Sequence, residues 1–335
     1  MAGNKVSAGI WFMGESRDRF ARYKERPVSM EERFRIAGRT KGLEGMELHY
    51  PNEISDDTIE DTKRWAKDNG LQIVSIVPNL FNEPQWQNGA VTATDKKVRK
   101  AALDRMKRTA EINKCLGCKF MIVWPGQEGN DGYILTSNYI DDWKRMRDGF
   151  VEVLESVPGV NIAYEHKPND PKIYITAGNT GKALLMCREV NEQIGAKRMG
   201  MNIEIGHVQI ARENLAESFC LTLKDGLLFH MHINDNNREK EGDTDLMPGT
   251  ANFMETLELF FWLRELKYQG WYGLDLNPQR IDARAAMEQS IVNLRYFEAL
   301  AAALPRQTIL KYIQAPNAVE TTKAVFETLM KGVRG

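Results

Sequence analysis

The chain has 335 residues, 42% of them hydrophobic, a formal net charge of −1 and four cysteines. That balance offers no basic field for nucleic acid, no apolar run reaches the roughly 18 residues of a membrane span, and no apolar leader opens the N-terminus. So few cysteines do not suggest a disulfide scaffold, and the expectation is a soluble, cytoplasmic globular protein with a substantial core.

In chain order, Val6–Phe12 reads as an apolar strand, followed by helix Met30–Lys41 and strand Gly45–His49. Helix Ser55–Asp68 has Ser55 as its N-cap and Asn69-Gly70 as its stop. Strand Leu71–Val77 closes at Pro78, and the amphipathic helix Thr94–Leu116 leads to strand Lys119–Trp124. Cys115 and Cys118 have redox or zinc spacing, but they have no second pair and lie where this helix meets its strand, so they read as structural. Helix Asp141–Ser156 and strand Asn161–Glu165 come next, then helix Thr180–Ile194 and strand Arg198–Ile203. Helix Asn214–Lys224 precedes strand Leu227–Ile233, and helix Asn252–Leu266 precedes strand Trp271–Leu276. Helix Ala283–Ala303 completes the alternation.

Eight short apolar strands alternating with eight helices suit a parallel sheet buried on both faces. Pattern and length predict a (β/α)8 TIM barrel over residues 1–304. A doubly wound sheet would need fewer units and usually a glycine-rich first turn, and no G-x-G-x-x-G follows the first strand. Residues 305–335 exceed the repeat and hold a helix-like Val319–Lys331. They are expected to form an extension that packs on a partner subunit in a homodimer or homotetramer.

Active sites of such barrels lie at the C-terminal strand ends. The sequence places there Trp11, His49, Trp124, Glu165 with His166 and Lys167, and Glu204 with His207 in the following loop. It adds His232 followed by Asp235, Asp243 and Asp245, and Asp275 followed by Asn277 and Arg280. A single carboxylate at a strand end is often a helix cap. Several converging on one mouth would repel one another unless a cation neutralised them. Glu165, Glu204, His232 and Asp275 form a candidate ring from four consecutive strands. Glu204, His207, Asp243 and Asp245 form a second set that shares Glu204. Oxygen-rich ligands with one or two imidazoles suit Mg2+, Mn2+ or Co2+ better than a thiolate zinc site. His230, deeper in its strand, reads as a core histidine and His166 as a packing residue. Lys167 alone would be a solvated loop lysine; its place beside Glu165 singles it out.

From about Ala8 to Tyr296 the chain resembles the xylose isomerase family. The resemblance is carried by A-G-I-W-F-M-G at 8–14, the His49 strand end, N-L-F-N-E-P at 79–84, T-A-T-D-K-K-V-R-K-A-A-L at 92–103, V-W-P-G-Q-E-G at 123–129 and E-H-K-P-N-D-P at 165–171. It continues with N-I-E-I-G-H at 202–207, L-F-H-M-H-I-N at 228–234, D-T-D-L at 243–246 and L-D-L-N-P at 274–278. The order of these motifs is a more specific signal than any one of them.

The resemblance implies an aldose–ketose isomerase that holds an open-chain sugar across two divalent metals while a hydride moves between C1 and C2. Glu165, Glu204 and Asp275 match ligands of the substrate-binding metal, and Glu204, His207, Asp243 and Asp245 match ligands of the catalytic metal. Lys167 matches the lysine that polarises the carbonyl oxygen at C1, and His49 the histidine that assists ring opening. Trp11 and Trp124 fall where the family lines the pocket with aromatic rings, and Phe20 matches a phenylalanine that enters a neighbouring subunit's pocket. The chain also departs from the pattern. His232 stands where xylose isomerase has aspartate, as in rhamnose isomerase-like relatives. Asn277 stands where xylose isomerase has a lysine, and Glu53 is the substitute for the aspartate that partners the ring-opening histidine. A pentose or a deoxyhexose is the expected substrate. A keto-sugar epimerase or a sugar lyase on the same metal-dependent barrel is the alternative within enzymes.

Overall fold

The computed structural model describes residues 3–14, 23, 27–238 and 242–331. Eight strands form one sheet: β1 (Val6–Gly9), β2 (Gly45–Tyr50), β3 (Gln72–Pro78), β4 (Phe120–Val123), β5 (Asn161–Glu165), β6 (Met199–Glu204), β7 (Leu228–His232) and β8 (Tyr272–Leu274). The order around the sheet is β3-β2-β1-β8-β7-β6-β5-β4, and the paired strands are parallel. Helices α1 (Met30–Arg39), α2 (Ile59–Asp68), α3 (Lys96–Cys115), α4 (Tyr139–Ser156) and α5 (Thr180–Ile194) lie between successive strands. The short α6 (Ile205–Ile210) and α7 (Leu215–Lys224) follow β6, α8 (Phe253–Glu265) follows β7, and α9 (Ala283–Ala303) follows β8. Beyond the last of these, α10 (Arg306–Gln314) and α11 (Ala318–Lys331) extend the chain, with Ile309 joining the main core. The expected (β/α)8 TIM barrel is the architecture.

The period of two along a strand sorts the residues. Val6, Ala8, Met46, Leu48, Met121, Val123, Ile162, Tyr164, Met201, Ile203, Met231, Tyr272 and Leu274 belong to the main core shared with the helices. The alternate residues include Ser7, Glu47, His49, Glu165, Asn202, Glu204, His230, His232 and Gly273. They form the barrel interior, where Val74, Val77, Phe120, Ile122 and Ala163 make a second, smaller apolar cluster. Apolar side chains face the helices, and polar ones accumulate inside. Register shifts fall between Met46 and Glu47 and between Met201 and Asn202, where the strand must re-aim an inward polar side chain.

Two local departures from the expected elements matter for the site. β1 stops at Gly9 instead of Phe12, and Trp11–Met13 form a 3-10 turn. A Cβ at Gly9 would stand 2.2 Å from the Trp11 ring, so the glycine lets that indole fold back over the strand end. The second departure is α6, which starts directly after Glu204 and places His207 on a helix, not in a loop.

No backbone ladder joins β3 to β4 among the described residues. Side chains close this seam. Ile122 N–H donates to Ser75 Oγ at 2.9 Å. Asn113 of α3 accepts from Ile76 N–H at 2.9 Å and donates to Ile76 C=O at 2.8 Å. Near the mouth, the buried Glu128 carboxylate accepts from the N–H groups of Ala90, Val91 and Thr92, tying the loop after β3 to the loop after β4. Unpaired buried backbone groups cost about 1–3 kcal/mol each. Asn113→Ala should therefore lower stability by about 2–4 kcal/mol, read as a reduced urea midpoint with an unchanged m-value.

Candidate active site

The inward residues at the C-terminal end of the sheet surround a cavity of about 220 Å3. One side is ionic. His232 Nδ1 lies 3.1 Å from Glu165 Oε2, 3.5 Å from Glu204 Oε2 and 3.6 Å from Asp275 Oδ2. His207 Nε2 lies 3.2 Å from Glu204 Oε1 and 3.1 Å from Asp243 Oδ2. Glu204 thus turns one oxygen to each cluster. Ligand atoms at about 2.1 Å from an octahedral ion stand about 3 Å apart when cis, so the observed separations fit coordination.

The unmet bonding capacity points the same way. His232 Nδ1, His207 Nδ1 and Asp243 Oδ1 are buried side-chain atoms without a hydrogen-bond partner in the protein. Among the described residues, Glu165–Glu204–His232 and Glu204–His207–Asp243 are groups that could hold a metal ion. Asp275 and Asp245 line the same cavity.

Ionisation shows how costly the cluster is without a cation. Burial pushes the Asp275 carboxyl up to about 7, and the neighbouring Glu204 and Glu165 push in the same direction against His232. Burial also drives Asp245 well above the carboxylate range, reinforced by Asp243, Glu204 and Asp275. Burial disfavours the charged form of His207, yet Glu204 and Asp243 overcome it and raise the imidazole to about 9. The protein holds protons where a divalent cation would serve equally.

Lys167, buried, donates to Asp170 Oδ2 at 2.7 Å and lies 2.8 Å from Asp243 Oδ2. Burial alone would lower its pKa; the two carboxylates overcome that and raise it above the usual lysine value. Its ammonium lies 5.3 Å from the centroid of Trp124, which meets Phe81 edge-on at 4.6 Å. Phe81 meets His49 at 5.6 Å, and His49 packs on Trp11 at 4.4 Å. With Val77 and Ile122, these rings form the apolar wall opposite the carboxylates. His49 Nδ1 bonds Glu53 Oε2 at 3.0 Å, so Glu53 does partner this histidine. Trp11 Nε1–H donates to Asp275 Oδ1 at 2.9 Å, linking wall and acid cluster.

All the candidate site residues that the structure describes line this one cavity; Phe20 lies outside the described residues. His166 is buried away from it, bonded to Thr180. Several residues that matter here escape a survey of strand ends. Asn234 donates to both Glu204 Oε1 at 2.9 Å and Asp245 Oδ1 at 2.8 Å, and Asn202 donates to Glu165 Oε2 at 2.6 Å. Glu47 lies below them, fully buried, with His230 and His232 on its oxygens. A carboxylate in the middle of an apolar strand is the signal that could have exposed it. Asp235, placed near the mouth by sequence, instead anchors the following loop by accepting from the Ala251 and Asn252 N–H groups.

Comparison with known proteins places the chain in a family. The xylose isomerase of Thermus thermophilus is 28% identical over 297 residues, covering 84% of this chain and 73% of that protein. That of Thermus caldophilus is 27% identical with the same coverage. Among solved structures, an L-ribulose 3-epimerase superposes with a TM-score of 0.69 at 15% identity, covering 94% of this chain and 99% of that one. A D-tagatose 3-epimerase-like protein gives 0.67 at 19% identity, covering 89% and 98%. The family model for the xylose isomerase-like TIM barrel matches residues 36–296. The chain therefore belongs to the xylose isomerase-like TIM barrel family.

Proposed function

We propose that the protein is a sugar isomerase that interconverts an aldose and a ketose by a 1,2-hydride shift, dependent on two divalent cations, Mg2+, Mn2+ or Co2+. The observation that carries this reading is Glu204, whose two carboxylate oxygens face two separate donor sets, His232 on one side and His207 on the other. Glu165, Glu204, His232 and Asp275 would hold one ion; Glu204, His207, Asp243 and Asp245 would hold the other. Such cations act as Lewis acids on neighbouring sugar oxygens.

The chain's own groups supply the remainder. Lys167, a permanent cation pinned by Asp170 and Asp243, donates to O1 of the open-chain sugar and polarises the C1 carbonyl. His49, with Nδ1 held by Glu53, offers Nε2 for the proton transfer of ring opening. Trp11, Phe81 and Trp124 cover the sugar's C–H edge and exclude water. In the shift, hydrogen leaves C2 with its bonding pair and joins C1, while one proton passes from O2 to O1. Aldose and ketose therefore have the same atoms and charge. The substrate is a monosaccharide, a pentose or a deoxyhexose, in keeping with a cavity below the roughly 300–1,000 Å3 of larger ligand sites.

Sugar epimerases share this barrel, and an epimerase or a lyase would work by proton abstraction at carbon. The same reading includes a homodimer or homotetramer. It is supported by strongly exposed apolar side chains at Tyr133, Ile134 and Leu135 and by Val319 and Phe326 on α11.

Incubating the protein with a panel of aldoses and ketoses, Mn2+ or Mg2+, in D2O should give aldose–ketose conversion with no deuterium at C1 or C2 by NMR; deuterium there would replace the hydride shift by proton transfer through an enediol, and inversion with deuterium at the inverted carbon and no aldose–ketose conversion would transfer the assignment to an epimerase. Lys167→Met should lower kcat by about 10²–10³-fold, with a smaller change in KM, in steady-state assays on the sugar so identified. Mn2+ should raise the melting temperature and chelation should reverse it; an unmoved transition would remove the metal from the reading.

A further inference from the structure

Beneath the carboxylate cluster, the barrel interior holds a second arrangement that takes no direct part in the chemistry above. Glu47 Oε1 accepts from Ser7 Oγ at 2.7 Å and lies 3.0 Å from His230 Nε2. Its Oε2 lies 2.8 Å from His232 Nε2. Ser7, Glu47 and His230 are completely buried and His232 nearly so. β8 makes room for this meeting point. A Cβ at Gly273 would stand 2.7 Å from His230 Nε2, 2.8 Å from His232 Cδ2 and 2.9 Å from Glu47 Oε1. The conformation of Gly273 does not demand glycine, because its φ is outside the left-handed range. The space does.

We infer that Glu47 is a positioning residue for the metal centre: it fixes His232 as the Nε2–H tautomer and so directs the Nδ1 lone pair at the ion held with Glu165, Glu204 and Asp275. This rests on the metal-binding reading of those residues. A neutral imidazole carries one ring proton, and an ionised carboxylate can only accept. With Ser7 and His230 donating to one oxygen, the other is left for His232, whose Nε2 must carry the hydrogen. With an ion in place of the second ring proton, Nδ1 would carry the free lone pair; it has no hydrogen-bond partner in the protein and sits within 3.6 Å of three carboxylate oxygens. Such carboxylate–imidazole–metal chains orient the ligand and raise its basicity, and losing the outer carboxylate weakens metal binding by about 10- to 100-fold. His230, held by the same carboxylate and packed on Phe120 with ring centroids 5.0 Å apart, keeps Glu47 from turning away.

The test is Mn2+ affinity, read from free Mn2+ by electron paramagnetic resonance, in the full-length protein. Glu47→Leu should weaken the tighter class of sites about 10- to 100-fold. Glu47→Gln should recover part of the loss, because its amide oxygen can still accept from His232. Both variants should keep the wild-type circular dichroism. Equal affinity in wild type and Glu47→Leu would overturn the positioning role and leave the metal reading standing; a wild type that takes up no Mn2+ would overturn both. Should Glu47→Leu fail to fold, 15N NMR of the wild-type protein loaded with diamagnetic Zn2+ decides. A proton on His232 Nε2 and none on Nδ1 supports the inference, and the reverse tautomer refutes it.

Discussion

Negative charge crowded at one end of the barrel is the constraint on which this structure turns. Glu165, Glu204, Asp243, Asp245 and Asp275 line a single small cavity, and Lys167 is the one lysine among its lining residues. Carboxylates this close cannot all remain ionised and dry. The protein meets the demand by raising the proton affinity of Asp275 and Asp245, with imidazoles between the acids, and with amides from Asn202 and Asn234 that donate into them. The cost of bringing these carboxylates together is met by folding.

The rest of the barrel is arranged to hold that charge still. Each strand that carries one of these acids turns its apolar alternates outward into the main core, so the position of a carboxylate inside follows from the packing of methionine, isoleucine and leucine outside. Amide side chains then fix individual oxygens: Asn234 reaches both Glu204 and Asp245, joining residues that belong to different strand-end segments.

Much of this was legible in the sequence, and the parts that were not have definite physical reasons. Apolar runs of strand length alternating with amphipathic helices are a strong periodic signal, and charged residues at the ends of such runs are conspicuous. The six residues of α6 are too few for a helical period to show, so His207 looked like a loop residue. β1 ended early because the Trp11 ring occupies the space beside Gly9, a tertiary contact with no local signature. Glu47 was hidden by its position, mid-strand where strand ends were being weighed. Asn202 and Asn234 carry no charge, and neutral amides in or beside apolar strands attract little notice. Phe81 joins the pocket wall through contacts with Trp124, just past β4, and with His49 on β2, which are distant in sequence.

The seam between β3 and β4 gives the cavity a mechanical asymmetry. The strands that carry Glu165, Glu204 and His232 are laced to their neighbours by backbone ladders, which make the ionic side the stiffer one. Val77 and Ile122 stand on the two strands that lack a ladder between them, and the wall they share with Phe81 and Trp124 is joined across that seam by side chains such as Ser75 and Glu128. Springs in series yield at the weakest one. A load on the cavity would therefore displace this wall before it displaced the carboxylates facing it. Give on one side of the cavity and rigidity on the other become two properties of one sheet, separated by where its hydrogen bonding stops.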